Sequence, residues 1–172
     1  YRAEQISTRT VEAAIAGYTT LADAIAFTYQ QQGHTFYVLT FPTDEATWVY
    51  DTLTQEWHER GDWDSAAMAY VTYRPQCFVF AWGGLGFGTN LVGDSTSGKL
   101  MVMSLTTGTD MAGAYIRRVR RCPHLSDKHH RVRYSGLELD LERGLGTTSG
   151  QGSDPNMMMR WSNDGGKTFG NE

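Results

Sequence analysis

Over much of the first hundred positions, apolar and polar residues alternate with a period of two. Thr35-Phe36-Tyr37-Val38-Leu39-Thr40-Phe41, closed by Pro42, reads as a strand, as do Phe27 to Tyr29 and the run Phe78-Val79-Phe80-Ala81-Trp82. Aromatic and β-branched residues fill these runs, and turn residues bound them at short intervals. From Val11 to Ile25 the pattern changes. Val11, Ala14, Ile15, Tyr18, Leu21, Ala22 and Ile25 fall near helical spacing, but Gly17, Thr19 and Thr20 interrupt them. One short helix or two strands both fit there, because glycine and β-branched residues lower helix propensity. The expected fold class is all-β.

An internal repeat refines that expectation. Trp48-Val49-Tyr50-Asp51-Thr52-Leu53-Thr54-Gln55-Glu56-Trp57 lies on Leu91-Val92-Gly93-Asp94-Ser95-Thr96-Ser97-Gly98-Lys99-Leu100 without a gap, at an offset of 43 residues. Each copy follows an aromatic-rich strand. A period of this length, with several strands in each copy, is the pattern of β-propeller blades, in which neighbouring small sheets cover one another. Two copies cannot close a ring, so the chain reads as a fragment of a longer propeller. Residues 1–105 are expected to hold the repeated blades, and residues 106–172 further blade strands within one structural domain.

Beyond Leu105 the period breaks. Tyr115 to Cys122 and Arg131 to Glu142 read as strands, the second with Leu137, Leu139 and Leu141 alternating against Glu138, Asp140 and Glu142. Val132 and Tyr134 fall on the opposite parity, which a bulge at Gly136 would reconcile. Gly144 to Pro155 is a long flexible loop, and Gly83 to Gly88 a mobile one that lacks the Lys-Ser/Thr of a phosphate loop.

The chain then ends on Arg160-Trp161-Ser162-Asn163-Asp164-Gly165-Gly166-Lys167-Thr168-Phe169. Asp-Gly-Gly between apolar flanks is a hairpin signal. The spacing of Ser162, Asp164, Gly166, Thr168 and Phe169 resembles the Asp box carried on hairpins of sialidase-type β-propellers. Asp boxes sit away from active sites, so the motif implies architecture rather than a reaction.

Composition adds three points. With 40% hydrophobic and 12% aromatic residues the chain is not a disordered tail. No 18-residue apolar run or basic leader is present, so no membrane partner is expected. The net charge of −4 conceals a basic strip. Between Arg117 and Arg133 lie Arg117, Arg118, Arg120, Arg121, Lys128, Arg131 and Arg133 against the single acid Asp127, leaving the remainder at −10. Three partners fit that strip: the acidic face of the Leu137–Leu141 strand, which the sequence favours; DNA, met by bidentate arginine–phosphate contacts; and an acidic neighbouring subunit.

Other constellations read as structure. Cys77 and Cys122 lack a CxxC partner and are expected as buried free thiols. His124, His129, His130 and Asp127 share one loop, with the adjacent histidines pointing apart, and read as a solvated turn rather than a metal site. Glu56, Glu59, Asp62 and Asp64 beside Trp57 and Trp63 read as a solvated turn rimmed by packing tryptophans rather than a sugar platform. No catalytic residue, metal or cofactor is expected.

Several segments together resemble the packaged-DNA stabilisation proteins of short-tailed bacteriophages, also described as tail accessory or head-closure factors. They are the run from Ala24 to Pro42, Thr47 to Asp51 with Trp57 to Arg60, Leu91 to Asp94, Ile116 to Leu125, Leu137 to Glu142, Gly150 to Pro155, and the final decapeptide. The resemblance implies a non-enzymatic virion component, assembled in the host cytoplasm. It implies a homo-oligomeric ring beneath the portal, with the portal and other tail proteins as partners, that helps retain the genome. A sialidase-like or glycan-binding propeller is the alternative. The contacts of Arg117, Arg118, Arg120, Arg121, Arg131 and Arg133 are not assigned by the resemblance.

Overall fold

The computed structural model describes residues 4–64, 66–82, 88–110, 116–124, 126–128, 130, 132–140 and 157–170. The chain divides into two compact units, Tyr1–Arg117 and Arg118–Glu172. In the first unit a short helix precedes antiparallel sheets, as an all-β chain requires.

The helix, α1, spans Arg9–Ala16. Thr8 caps it by accepting the Val11 amide, Glu12 lies in its first turn, and Gly17 ends it. Eight residues are too few to be helical alone, so packing holds the helix in place. Val11 is buried against Phe41 and Trp48, with Ala14, Ile15 and Tyr18 beside it. The Trp48 indole donates to the Tyr18 hydroxyl at 2.8 Å. The interrupted periodicity therefore resolves into one helix, and Ile25 already belongs to the first strand. Between them Thr19 and Thr20 give their amides to the Asp44 carboxylate.

Strands β1 (Ile25–Gln31), β2 (His34–Phe41), β3 (Ala46–Asp51) and β4 (Glu56–Glu59) form one meander in sequence order. Both of its faces are covered. Leu39, Phe41, Trp48 and Trp57 lie under α1. On the other face Tyr29, Val38 and Val49 form a second core, closed by Phe27, Phe36, Tyr73, Phe78 and Met103. Strands β5 (Asp62–Asp64) and β6 (Ala69–Val71) form a small ribbon. Strands β7 (Pro75–Ala81), β8 (Thr89–Asp94) and β9 (Leu100–Val102) form a three-stranded meander. Asn90 on β8 donates to the Gln30 carbonyl of β1 at 2.8 Å, tying the two meanders together.

The hairpins share one design. The β1–β2 turn is the two-residue Gln32-Gly33, both with positive φ, which matches strand twist. The connections β2–β3, β3–β4, β5–β6 and β8–β9 instead place a left-handed residue one or two positions before the returning strand: Glu45, Gln55, Met68 and Gly98. In the last three an aspartate stands four residues earlier. Asp51 accepts the Leu53 amide, Asp64 those of Ala66 and Ala67, and Asp94 those of Thr96 and Ser97.

Two expectations are corrected. Cys77 and Cys122 are free but exposed, not buried. A register shift between Pro75 and Cys77 sets that thiol opposite Gly93, on the uncovered face of β7–β9. The basic strand and the leucine-rich strand do not pair: residues 116–124 and 132–140 form no strand among the described residues. Alternation stabilises a strand only when a sheet or core receives its apolar face, and Leu137 and Leu139 remain exposed. Tyr115, Arg131, Leu141, Glu142 and the loop from Gly144 to Pro155 lie outside the described residues.

Candidate functional site

Two kinds of polar site emerge, one built into the sheets and one on the second unit. In the sheets, each repeated aspartate meets a basic side chain at the start of the strand before it. His34, opening β2, meets Asp51 through Nδ1 at 2.6 Å. Arg74, just ahead of β7, grips Asp94 with Nε and Nη2. The backbone repeats the correspondence, since the Thr52 amide donates to the Thr35 carbonyl and the Ser95 amide to the Arg74 carbonyl.

Hydrogen bonds from Arg74 hold the Asp94 carboxyl far below the usual range, against the opposing effect of burial. At Asp51 burial pushes the other way, but the Leu53 amide and His34 outweigh it, so this carboxyl is also lowered. Asp62 is raised by burial, with the nearby Asp110 adding to the effect.

Arg60 follows β4 and lies over three rings, 5.5 Å from the centre of Tyr29, 5.6 Å from Phe36 and 5.9 Å from Tyr73. Its Nε donates to His58 Nε2 at 3.3 Å. This requires a neutral imidazole, and burial followed by the Arg60 charge lowers the His58 pKa accordingly. The cation closes the edge of a core where cation–π attraction replaces a carboxylate. Sequence reading missed this nest and both aspartate pairs. The available signal was a basic residue at or just before the start of the strand preceding those that end in Asp51 and Asp94.

The strip is divided by its surroundings. Arg117 belongs to the first unit and lies 4.3 Å above the Trp63 ring, which Tyr70 meets edge-on. Arg118, Arg120 and Arg133 are exposed in the second unit. Arg121 lies 5.5 Å from the Phe169 ring centre, and Arg160, which sequence reading left out of the strip, lies 5.6 Å from it. Arg131 and His129 are outside the described residues. Among the described residues no ion pair joins these arginines to Glu138 or Asp140, and Glu142 lies outside the described residues. No group of three metal-binding side chains occurs among the described residues. Trp57 serves packing, donating its indole N–H to the Ile6 carbonyl at 2.9 Å.

The Phe169 ring ends a turn organised by one carboxylate. Asp164 accepts from the Lys167 amide at 2.9 Å, the Thr168 amide at 2.9 and 3.0 Å, Thr168 Oγ1 at 2.6 Å and Ser162 Oγ at 2.6 Å. Ser162 Oγ in turn accepts the Gly166 amide at 2.8 Å. Gly165 and Gly166 both have positive φ, which a side chain would disfavour. Ser162 and then Thr168 hold Asp164 far below the usual carboxylate range. The turn closes through the Gly170 amide and the Trp161 carbonyl at 3.0 Å, but neither flank is a strand. With its carboxylate engaged inside the loop, Asp164 braces the turn and presents no group for acid–base chemistry.

No curated protein and no solved structure matches the chain. A family model does, over residues 1–108, a span that holds every described strand and none of the strip's arginines. On that match the chain belongs to the phage-stabilisation family described as Bacteriophage P22 Gp10, β-propeller.

Proposed function

We propose that the protein is a structural component of a bacteriophage virion that stabilises packaged DNA at the portal. The observation that carries this reading is the family match across the sheets of the first unit. Nothing in the polar sites competes with it. Asp51, Asp94 and Asp164 spend their acceptor capacity on turns, and Arg60 and Arg74 are bound into the fold. Such groups fasten a scaffold, which fits the structural role that the family match supports. The sialidase-like alternative finds no support in the family match, which points to phage stabilisation.

The finer reading is a homo-oligomeric ring that closes the portal vertex, assembled in the host cytoplasm and carried in the virion with portal and tail proteins. Symmetric rings repeat one interface, so modest patches on each copy sum to a strong closure. The arginines Arg117, Arg118, Arg120, Arg121, Arg131 and Arg133 supply contacts to DNA or to a neighbouring subunit. Electron cryo-microscopy of virions carrying a labelled copy tests the placement. Label at the portal vertex is expected, and label on the capsid faces or the distal tail would overturn the assignment.

A further inference from the structure

The two meanders of the first unit carry matching faces that meet different ends. The 43-residue offset sets Trp48, Tyr50 and Trp57 on Leu91, Gly93 and Leu100. In β2–β4 those side chains stand in two rows across the strands, Leu39, Trp48 and Glu59 in one and Tyr37, Tyr50 and Trp57 in the other. In β7–β9 the matching rows are Val79, Leu91 and Val102, then Cys77, Gly93 and Leu100. Helix α1 covers the first face, packing Val11, Ala14, Ile15 and Tyr18 with Leu39, Trp48 and Trp57. The second face is open: Val79 is 53%, Val102 58% and Leu100 68% exposed, and the Cys77 thiol is exposed too. The opposite face of the same sheet is covered, since Phe78 packs against the core of Tyr29, Val38 and Val49. Neither open row holds a charged side chain. A contiguous apolar face left open in this way marks an interaction site.

We propose that this face of β7–β9 is the seat of an amphipathic helix supplied by a partner protein. The sister face shows the occupant's form, because α1 meets it through residues at i, i+3, i+4 and i+7. Three strands span about 10 Å, the width of one helix. A helix in such a seat is held by a few anchors at that spacing. A second copy laid sheet against sheet is a poorer occupant, because six side chains fall well short of the roughly 20–30 residues a side of a stable interface. The α1 of a second copy is already committed to its own sheet, so the helix comes from a different polypeptide. The floor of the open seat is lower than that under α1, with Leu91 in place of Trp48, Gly93 in place of Tyr50 and Cys77 in place of Tyr37. Close packing therefore asks for a larger side chain where α1 has Ala14. The inference uses only register and exposure, and stands apart from the DNA-stabilising reading.

Thiol protection at Cys77 tests the seat. In the full 172-residue chain carrying Cys122→Ser, Cys77 is the single thiol. Its alkylation by iodoacetamide is timed with and without about 1 mM of a synthetic peptide spanning Thr8 to Tyr18 with Ala14→Leu. The peptide should slow alkylation about fivefold, which corresponds to a dissociation constant of about 0.25 mM. The unaltered peptide should protect less, and one with Val11→Asp and Ile15→Asp should not protect. In the chain, Leu100→Asp with Val102→Asp should remove the protection, and so should Val79→Lys on the other edge strand. All three side chains are exposed, and circular dichroism of each variant should match the parent. Alkylation that ignores the peptide, or protection that survives both face variants, would overturn the proposal. So would a concentration-dependent dimer that the same variants abolish, since the face would then belong to a second copy.

Discussion

Asp94 and Asp164 organise turns of nearly the same chemistry in opposite surroundings. Asp94 lies at the end of a strand, its side chain fully buried, and shares its carboxylate between its own loop and Arg74. Asp164 lies on the surface and is held by its own loop alone, between flanks that form no strand. A turn locked to a neighbouring element transmits its order to the sheet. A turn that satisfies only itself can hold a display loop without stabilising anything further away. The first unit is thus a scaffold, and the second carries its apolar and cationic residues outward.

Breaking the scaffold should have the largest effect. Trp48→Ala removes a buried ring and its bond to Tyr18, and should cost about 3–5 kcal/mol in denaturant unfolding. Trp161→Ala should change the same measurement by less than about 0.5 kcal/mol. Equal losses would erase the distinction between the units. Next in size, Asp94→Ala strands Arg74 in a partly buried site and should lower the midpoint of thermal unfolding by about 5–10 °C. Asp164→Ala should leave the midpoint unmoved while speeding amide exchange at Lys167 and Thr168.

The aspartate turns also show where the sequence was readable and where it was not. Strands β1, β2, β3, β7 and β8 follow from alternation and turn residues, and the 43-residue offset aligns Asp51 with Asp94. Arg74 was illegible as a partner because it stands twenty residues from Asp94 and enters through register, which no local pattern encodes. The exposure of Cys77 depends on a shift of one position in the β7–β8 ladder. The leucine alternation around Leu137 was misleading for a related reason: a period of two describes a strand only if a neighbour accepts it. Arg121 and Arg160 meet through a ring at Phe169, again beyond the reach of spacing.

A smaller effect sharpens the packing at that ladder. A Cβ on Gly93 would collide with the Cys77 sulfur, which is exposed and can turn aside, so Gly93→Ala should cost less than about 1 kcal/mol. Cys77→Ala should recover much of that loss, and a double-mutant cycle measures the coupling.

The smallest effect is the pH dependence that the sheet aspartates impose. Asp51 and Asp94 have folded pKa values below their unfolded ones, so their stabilisation is present above about pH 4 and lost as pH falls. Asp62 is raised, and its protonation in acid works in the opposite direction. Thermal midpoints followed from pH 6 to pH 3 should drop less steeply in Asp94→Asn than in the parent.

The most direct measurement of the central claim is DNA retention in phage particles whose copy of this protein's gene has been deleted. Filled heads should form and then release their DNA, and supplying the protein in trans should restore retention. Particles that keep their full genome without it would contradict a role in stabilising packaged DNA.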